Sequence, residues 1–278
     1  MITRLVTETG IVADLFHDGS GKPRKALVLL GGSEGGKVWS SYQISKPRKL
    51  LVDTGYSLLS LAYFKAPGLP PTLEAIPLEY LETAFAWLAS QAEVLSDEIA
   101  LLGGSKGAEV ALLLGSMNPK VKAVVALSSS SVVWEGVPKK GVDMTTYNRR
   151  SSWSYQGQDL PFIKNTLTSW NTGTMISTVF FGTLRKQFEK ALENKEEVEQ
   201  ASIPVEKIQG AILLMSGKKD FMWPATKMSE QIMSRLTTKG FTYPYSHIAY
   251  DSGHQGFIQN KECWSVISDF LKKNYPPS

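Results

Sequence analysis

The sequence predicts an α/β fold with a mostly parallel central sheet, helices on both faces and a cap-like insertion of about residues 129–204. Three observations carry that prediction. Short, predominantly apolar runs at Ala26 to Leu30, Ser57 to Ala62, Ile99 to Leu102, Val121 to Leu127 and Ala211 to Met215 have the length and composition of strands buried on both faces. Helical patterns lie between several of them, and this alternation is what right-handed crossovers between parallel strands require. After Ser128 the alternation breaks down.

Each element follows from its own pattern. Leu78, Leu81, Phe85 and Leu88 recur at helical spacing with Glu79 and Glu82 on the other side, so this helix turns one face to the sheet. A second helix is predicted from Lys106 through Ala108, Ala111 and Leu112 to about Met117, where Asn118-Pro119 stops it. Ahead of Ala26, two strands around Thr3 to Thr7 and Ile11 to Phe16 form an antiparallel edge. The irregular stretch holds a serine run, then Trp134, Trp153 and Trp170 among polar residues, then a charged helix from Leu184 to about Gln200. A cap over the carboxyl ends of the strands and a plain surface excursion fit that stretch equally well.

At 278 residues, with 42% hydrophobic and 20% charged residues, the chain is expected to fold as one domain over residues 1–278. The net charge of +4 favours an anionic ligand, but no clustered basic stripe exists, so no nucleic-acid partner is expected. The lone cysteine, Cys263, is followed by Trp264 and apolar positions at helical spacing, which points to core packing and rules out a disulfide framework or a cysteine-rich metal site. No cofactor is called for. The first residues lack a continuous apolar stretch and nothing elsewhere approaches a membrane span, so a cytoplasmic protein without a membrane partner is expected. Oligomeric state is not legible.

Chemistry enters at Gly103-Gly104-Ser105-Lys106-Gly107, a Gly-x-Ser-x-Gly pattern between a buried strand and a helix. In that setting the serine sits on a strained turn with its hydroxyl above the sheet, which is the nucleophile elbow of the α/β-hydrolase fold. At the helix N-terminus, unpaired amides stabilise negative charge, and the Lys106 amide becomes one oxyanion donor. The bland alternative is a glycine-rich turn into a helix. It weakens because an acid and a histidine follow in the order this fold needs. Asp220 lies on a turn just past the strand that starts at Ala211, where it could orient an imidazole or cap the next helix.

His254 lies on a glycine-flanked loop past the strand Tyr245 to Tyr250, whereas His17 precedes the core sheet and His247 is inside that last strand. His254 is therefore the candidate base. Asp251 is a competing acid, ranked second for its nearness to His254 in sequence. After Leu30, Gly31-Gly32-Ser33-Glu34-Gly35-Gly36 forms a loop whose main chain can approach a substrate, with the Ser33 amide as the second oxyanion donor. A phosphate-binding loop fails because Val38 stands where a hydroxyl is needed.

These stretches resemble the catalytic domain shared by acyl-CoA thioesterases and bile acid-CoA:amino acid N-acyltransferases. The likeness runs through Leu29-Leu30-Gly31-Gly32-Ser33-Glu34-Gly35-Gly36, Leu61-Ala62-Tyr63-Phe64, Leu69-Pro70, Leu78-Glu79-Tyr80, and Leu101 to Glu109 with its Ser-Lys-Gly-x-Glu elbow. It continues in Ser202-Ile203-Pro204-Val205-Glu206, Gly217-Lys218-Lys219-Asp220, Trp223 and Gly253-His254, and it lapses between Ser128 and Gln200. The resemblance implies that Ser105, Asp220 and His254 form a catalytic triad acting on a small-molecule acyl-CoA or ester. The acyltransferase branch uses cysteine as nucleophile, so Ser105 implies hydrolysis. Animal members carry an immunoglobulin-like domain before the catalytic one, where this sequence has about two dozen residues. A carboxylesterase or dienelactone-type lactone hydrolase is the main rival, followed by an acyl-CoA N-acyltransferase or a non-catalytic binding protein. Lys37, Lys46 and Arg48, near the first loop, are candidate contacts for coenzyme A or simply solvated surface charges.

Overall fold

A computed structural model of the chain describes all residues except 7–9, 166–172, 174–176, 178–180 and 278. Eight strands form the main sheet: β1 (Ile2–Val6), β2 (Val12–His17), β3 (Arg24–Leu30), β4 (Tyr56–Ala62), β6 (Val94–Gly104), β7 (Val121–Leu127), β10 (Ala211–Gly217) and β11 (Tyr245–Tyr250). Their spatial order is β1-β2-β4-β3-β6-β7-β10-β11. β1 and β2 pair antiparallel with each other, and β2 pairs antiparallel with β4. Every other neighbouring pair is parallel. The antiparallel edge is where the sequence puts it, although Thr7 lies outside the described residues.

The apolar runs are explained by the two faces. Along β6, Leu101 enters one hydrophobic cluster and Leu102 the other, the period of two that a strand sandwiched between helices must satisfy with apolar residues on both sides. One cluster takes Leu78, Leu81 and Leu88 from α2 (Leu78–Ala89) and Ala108 and Leu112 from α3 (Lys106–Met117). The other takes Leu51 and Val52 from α1 (Ser45–Thr54) and Cys263, Trp264, Ile267 and Leu271 from α7 (Lys261–Asn274). Cys263 is fully buried, and burial pushes its thiol up to about 12. It is a packing residue, as its neighbours in sequence suggest.

β6 is longer than its apolar stretch because polar residues at its start remain accessible at the sheet's lower end, where Asp97 pairs with Lys120 at 2.7 Å. The stretch between β7 and β10 is more ordered than expected. β8 (Trp153–Tyr155) and β9 (Gln158–Asp159) join β5 (Ile76–Pro77) in a separate three-stranded sheet. The single charged helix expected there is two helices, α4 (Thr183–Ala191) and α5 (Lys195–Ala201). Asn194 breaks it: its side chain accepts from the Glu197 amide and starts a new helix, a bond that an asparagine readily substitutes for the backbone ladder. Trp134 and Trp153 are buried, and Trp170 lies outside the described residues. α6 (Ala225–Thr238) completes the fold. Among the described residues no helix is long and apolar enough to cross a membrane.

Candidate active site

Ser105 occupies the turn between β6 and α3 with φ 55° and ψ −119°, a left-handed conformation that a side-chain-bearing residue adopts only when its surroundings enforce it. The enforcement is visible. A Cβ on Gly103 would overlap the backbone of Gly107, and one on Gly107 would overlap the carbonyl oxygens of Leu30 and Gly31. The two glycines therefore let strand, turn and helix close together. The Ser105 amide donates to the Leu127 carbonyl at 2.8 Å, tying the turn to the end of β7.

The structure brings the three predicted side chains together. His254 Nε2 lies 3.0 Å from Ser105 Oγ, and His254 Nδ1 lies 2.6 Å from Asp220 Oδ2. Asp220 is 1% exposed, so its carboxylate faces the ring with little competition from water. Its other oxygen accepts from the amides of Met222 at 2.8 Å and Trp223 at 3.3 Å. The sequence left two roles open for Asp220, and the carboxylate makes both kinds of bond, although the amides belong to the turn and not to α6. Asp251 is elsewhere: it is exposed and paired with Lys219 at 2.8 Å. His247 bonds Ser216 Oγ through Nε2 at 2.8 Å, and His17 ends β2.

The loop after β3 sits against the elbow. A Cβ on Gly32 would lie 3.1 Å from both Gly104 O and Ser105 Cβ, so glycine eases this close approach. The Gly32 amide is taken by Glu34 Oε1 at 3.1 Å. Among the described residues neither the Ser33 nor the Lys106 amide has an acceptor, and both residues line a cavity together with Ser105 and His254. The cavity measures about 400 Å³, within the range of small-molecule sites. Trp134, Leu184, Phe188, Met222 and Trp223 give it an apolar wall. Trp223 meets the His254 ring edge-on at 5.9 Å, Phe188 lies 6.0 Å from Trp223, and Trp134 lies 4.7 Å from Phe188.

Several residues of the site were not anticipated from the sequence. Ser128, at φ 51°, joins three elements: its amide donates to Met215 O, its hydroxyl to the His254 carbonyl, and its own carbonyl accepts from Trp223 Nε1 at 3.1 Å. A serine run directly past the end of a central strand is the signal that could have marked it. The Lys106 side chain points inward, where its ammonium meets Glu109 at 3.1 Å, Ser152 Oγ at 2.7 Å and the Glu135 carbonyl at 3.3 Å. Glu109 also accepts from Trp153 Nε1 at 2.8 Å and the Trp134 amide at 3.2 Å. Burial pushes Lys106 below its usual value and Glu109 above, each opposed by the charge of the other. The elbow thus grips the segment that walls the cavity.

Of the three basic residues near the first loop, Lys37 pairs with Asp14 at 2.6 Å, and buried Arg48 donates to the carbonyls of Trp39 and Ser41. Lys46 alone is exposed and has no ion-pair partner among the described residues. No group of three or more His, Cys, Asp and Glu side chains among the described residues is placed to hold a metal ion.

A mostly parallel sheet with a serine at a strained strand-to-helix turn, and an acid and a histidine past two later strands, defines an α/β-hydrolase fold. Solved structures agree: a Pyrococcus furiosus esterase matches with TM-score 0.60 at 16% identity over 98% of this chain and 90% of that one. A Mycobacterium tuberculosis puromycin-hydrolyzing peptidase matches with TM-score 0.61 at 15% identity over 95% of this chain and 38% of that one. Residues 76–256 match the model of the BAAT / acyl-CoA thioester hydrolase C-terminal family, and the chain belongs to that family. It is 28% identical over 249 residues to acyl-coenzyme A thioesterase 5 of Mus musculus, covering 90% of this chain and 53% of that protein. To the mitochondrial acyl-coenzyme A thioesterase 2 of Homo sapiens it is 26% identical over 235 residues, covering 84% and 42%. The chain spans about half the length of these curated relatives.

Proposed function

We propose that the chain is a serine hydrolase that cleaves an acyl-CoA thioester to the free acid and coenzyme A through an acyl-serine intermediate. The observation that carries this reading is the hydrogen-bonded run from Ser105 Oγ through the His254 ring to the buried Asp220 carboxylate. His254 Nε2 takes the hydroxyl proton as Ser105 Oγ attacks the thioester carbonyl, and Asp220 holds the ring by Nδ1 and stabilises its charged form. The negative charge on the carbonyl oxygen rests on the Ser33 and Lys106 amides, each such donor being worth about 3 kcal/mol of barrier. The tetrahedral intermediate collapses with cleavage of the C–S bond. A thiolate is a good leaving group, so the His254 proton is needed less for departure than it would be for an amine. The departing sulfur takes that proton to leave as the thiol, so His254 is neutral again; water then gives a proton to His254 as it attacks the acyl-serine, and His254 returns it to Ser105 Oγ as the acid is released.

Residues 1–278 act as one unit in this reading, with 129–204 as the cap that supplies much of the apolar acyl wall. Family membership and the thioesterase relatives support the choice of thioester. One observation favours a plain esterase or lactone hydrolase instead: among the described residues Lys106 is the one lysine or arginine lining the cavity, and it is committed to Glu109. Turnover of an acyl-CoA panel beside p-nitrophenyl esters of the same acids separates the two readings. A thioesterase shows higher kcat/KM on the CoA thioesters, and equal values favour the esterase. Labelling by a fluorophosphonate that disappears in Ser105→Ala tests the nucleophile; retained labelling removes Ser105 from that role.

A further inference from the structure

The cavity beside Ser105 suits an acyl group and is poorly suited to phosphate. Its lining includes Glu34 and Glu135, the latter paired with Arg149 at 3.0 Å, and among the described residues the one lysine that lines it, Lys106, is bound to Glu109. The polyanionic half of a CoA thioester must therefore lie outside it.

A second depression adjoins the cavity across Gln255, which lines both. Gln255 follows His254, and its side chain packs so closely on the elbow that a Cβ on Gly104 would collide with Nε2. The two spaces thus meet at Gln255, whose side chain abuts the turn that carries Ser105. The depression holds about 810 Å³, twice the volume of the cavity and ample for an extended ligand. Ile44, Pro47 and Ile258 give it apolar contact surface. Among the described residues its only charged lining residues are Lys46 and Lys261, from the first turns of α1 and α7, and no aspartate or glutamate lines it. Among the described residues neither lysine has an ion-pair partner, whereas Lys37 and Lys49 nearby are paired with Asp14 and Asp53. Two uncommitted ammonium groups facing one groove, beside an apolar-walled cavity whose one lysine among the described residues is taken by Glu109, set up a difference in charge that orients an asymmetric ligand, apolar end inward and anionic end outward.

We propose that this groove holds the phosphate-bearing end of the thiol leaving group, with Lys46 and Lys261 as its phosphate contacts and Gln255 at the crossing point between acyl and thiol halves. The assignment rests on the thioesterase reading for its ligand but is tested without turnover.

The probe is desulfo-coenzyme A, titrated calorimetrically into the wild-type chain and into Lys46→Glu/Lys261→Glu. Wild type binds, and binding weakens as salt rises; the double variant loses affinity by about tenfold or more. No detectable binding to wild type, or equal affinity of both, overturns the groove. Both substituted residues are exposed and, among the described residues, neither makes a hydrogen bond or ion pair to Ser105, His254 or Asp220, so p-nitrophenyl butyrate turnover and the melting temperature stay at wild-type values and report an intact fold. With acyl-CoA as substrate, the double variant raises KM and leaves kcat near wild type. If wild type cleaves the p-nitrophenyl ester and not the CoA thioester, the thioesterase reading fails on its own, and desulfo-coenzyme A binding still decides the groove.

Discussion

The Lys106 ammonium lies 3.1 Å from the Glu109 carboxylate, one turn further along α3, with both side chains withdrawn from solvent. A residue that lines the cavity thereby also fastens the chain around Trp134, Glu135 and Ser152. Lys106→Met leaves the carboxylate without its cation and is expected to destabilise the fold by about 3–5 kcal/mol. Lys106→Met/Glu109→Gln removes both charges, keeps an acceptor for Trp153 Nε1, and recovers about half of that loss or more. Urea unfolding of the two variants beside Glu109→Gln closes the cycle, and additive losses would show that the charges are not coupled.

Phe188 stands between Trp134 and Trp223 in the cavity wall. Phe188→Ala lengthens the apolar space, so kcat/KM for longer p-nitrophenyl esters is expected to rise relative to the acetate by about fourfold for each extra methylene accommodated, the equivalent of about 0.8 kcal/mol. A chain-length profile parallel to that of wild type would place the acyl group elsewhere.

Asp220 and Asp251 lie close in space to the same loop yet have different partners. Asp220→Asn substitutes an amide for the acceptor at His254 Nδ1, and a fall in kcat of about 10³–10⁴-fold is expected from the wrong tautomer. Asp251→Asn breaks only an exposed pair with Lys219, and kcat within about twofold of wild type is expected. Steady-state kinetics on one ester measures both; similar losses in the two variants would remove the distinction.

The succession of strands along the chain, and the three side chains that the structure brings together at Ser105, were legible because each depends on local chemistry. An apolar run with a helical pattern after it, a Gly-x-Ser-x-Gly turn, and a histidine on a glycine-flanked loop are all short-range signals. Ser128 and the Lys106–Glu109 pair were not legible in role, since both act on residues more than twenty positions away. The break at Asn194 was within reach, as asparagine at a helix start is a local signal, but the continuous run of charged residues obscured it. β5, β8 and β9 are two or three residues long, too short for any periodicity to show.

Burial holds the His247 imidazole below its usual 6.5. Above that pH the ring is neutral in both folded and unfolded chains and contributes no pH dependence. As pH falls through 6.5, the unfolded chain binds a proton before the folded one does, so stability declines until the folded ring is protonated too, by at most about 1.4 kcal/mol per pH unit. His247→Gln keeps a partner for Ser216 and is expected to flatten this part of the stability curve. Melting temperatures from pH 7.5 downward check it; an unchanged slope in the variant assigns the acid sensitivity to other groups.

β7 and β10 are direct neighbours in the sheet, and among the described residues none of the strands between them in sequence joins it. Material spliced between these two strands therefore leaves the sheet's register alone, and the segment is a natural unit for exchange between related sequences. One condition travels with any such graft. It must present oxygen atoms to Lys106 and donors to Glu109, or it will leave a charge stranded beneath Ser105, so compatible substitutions of the segment are selected from below, by the helix that follows that serine.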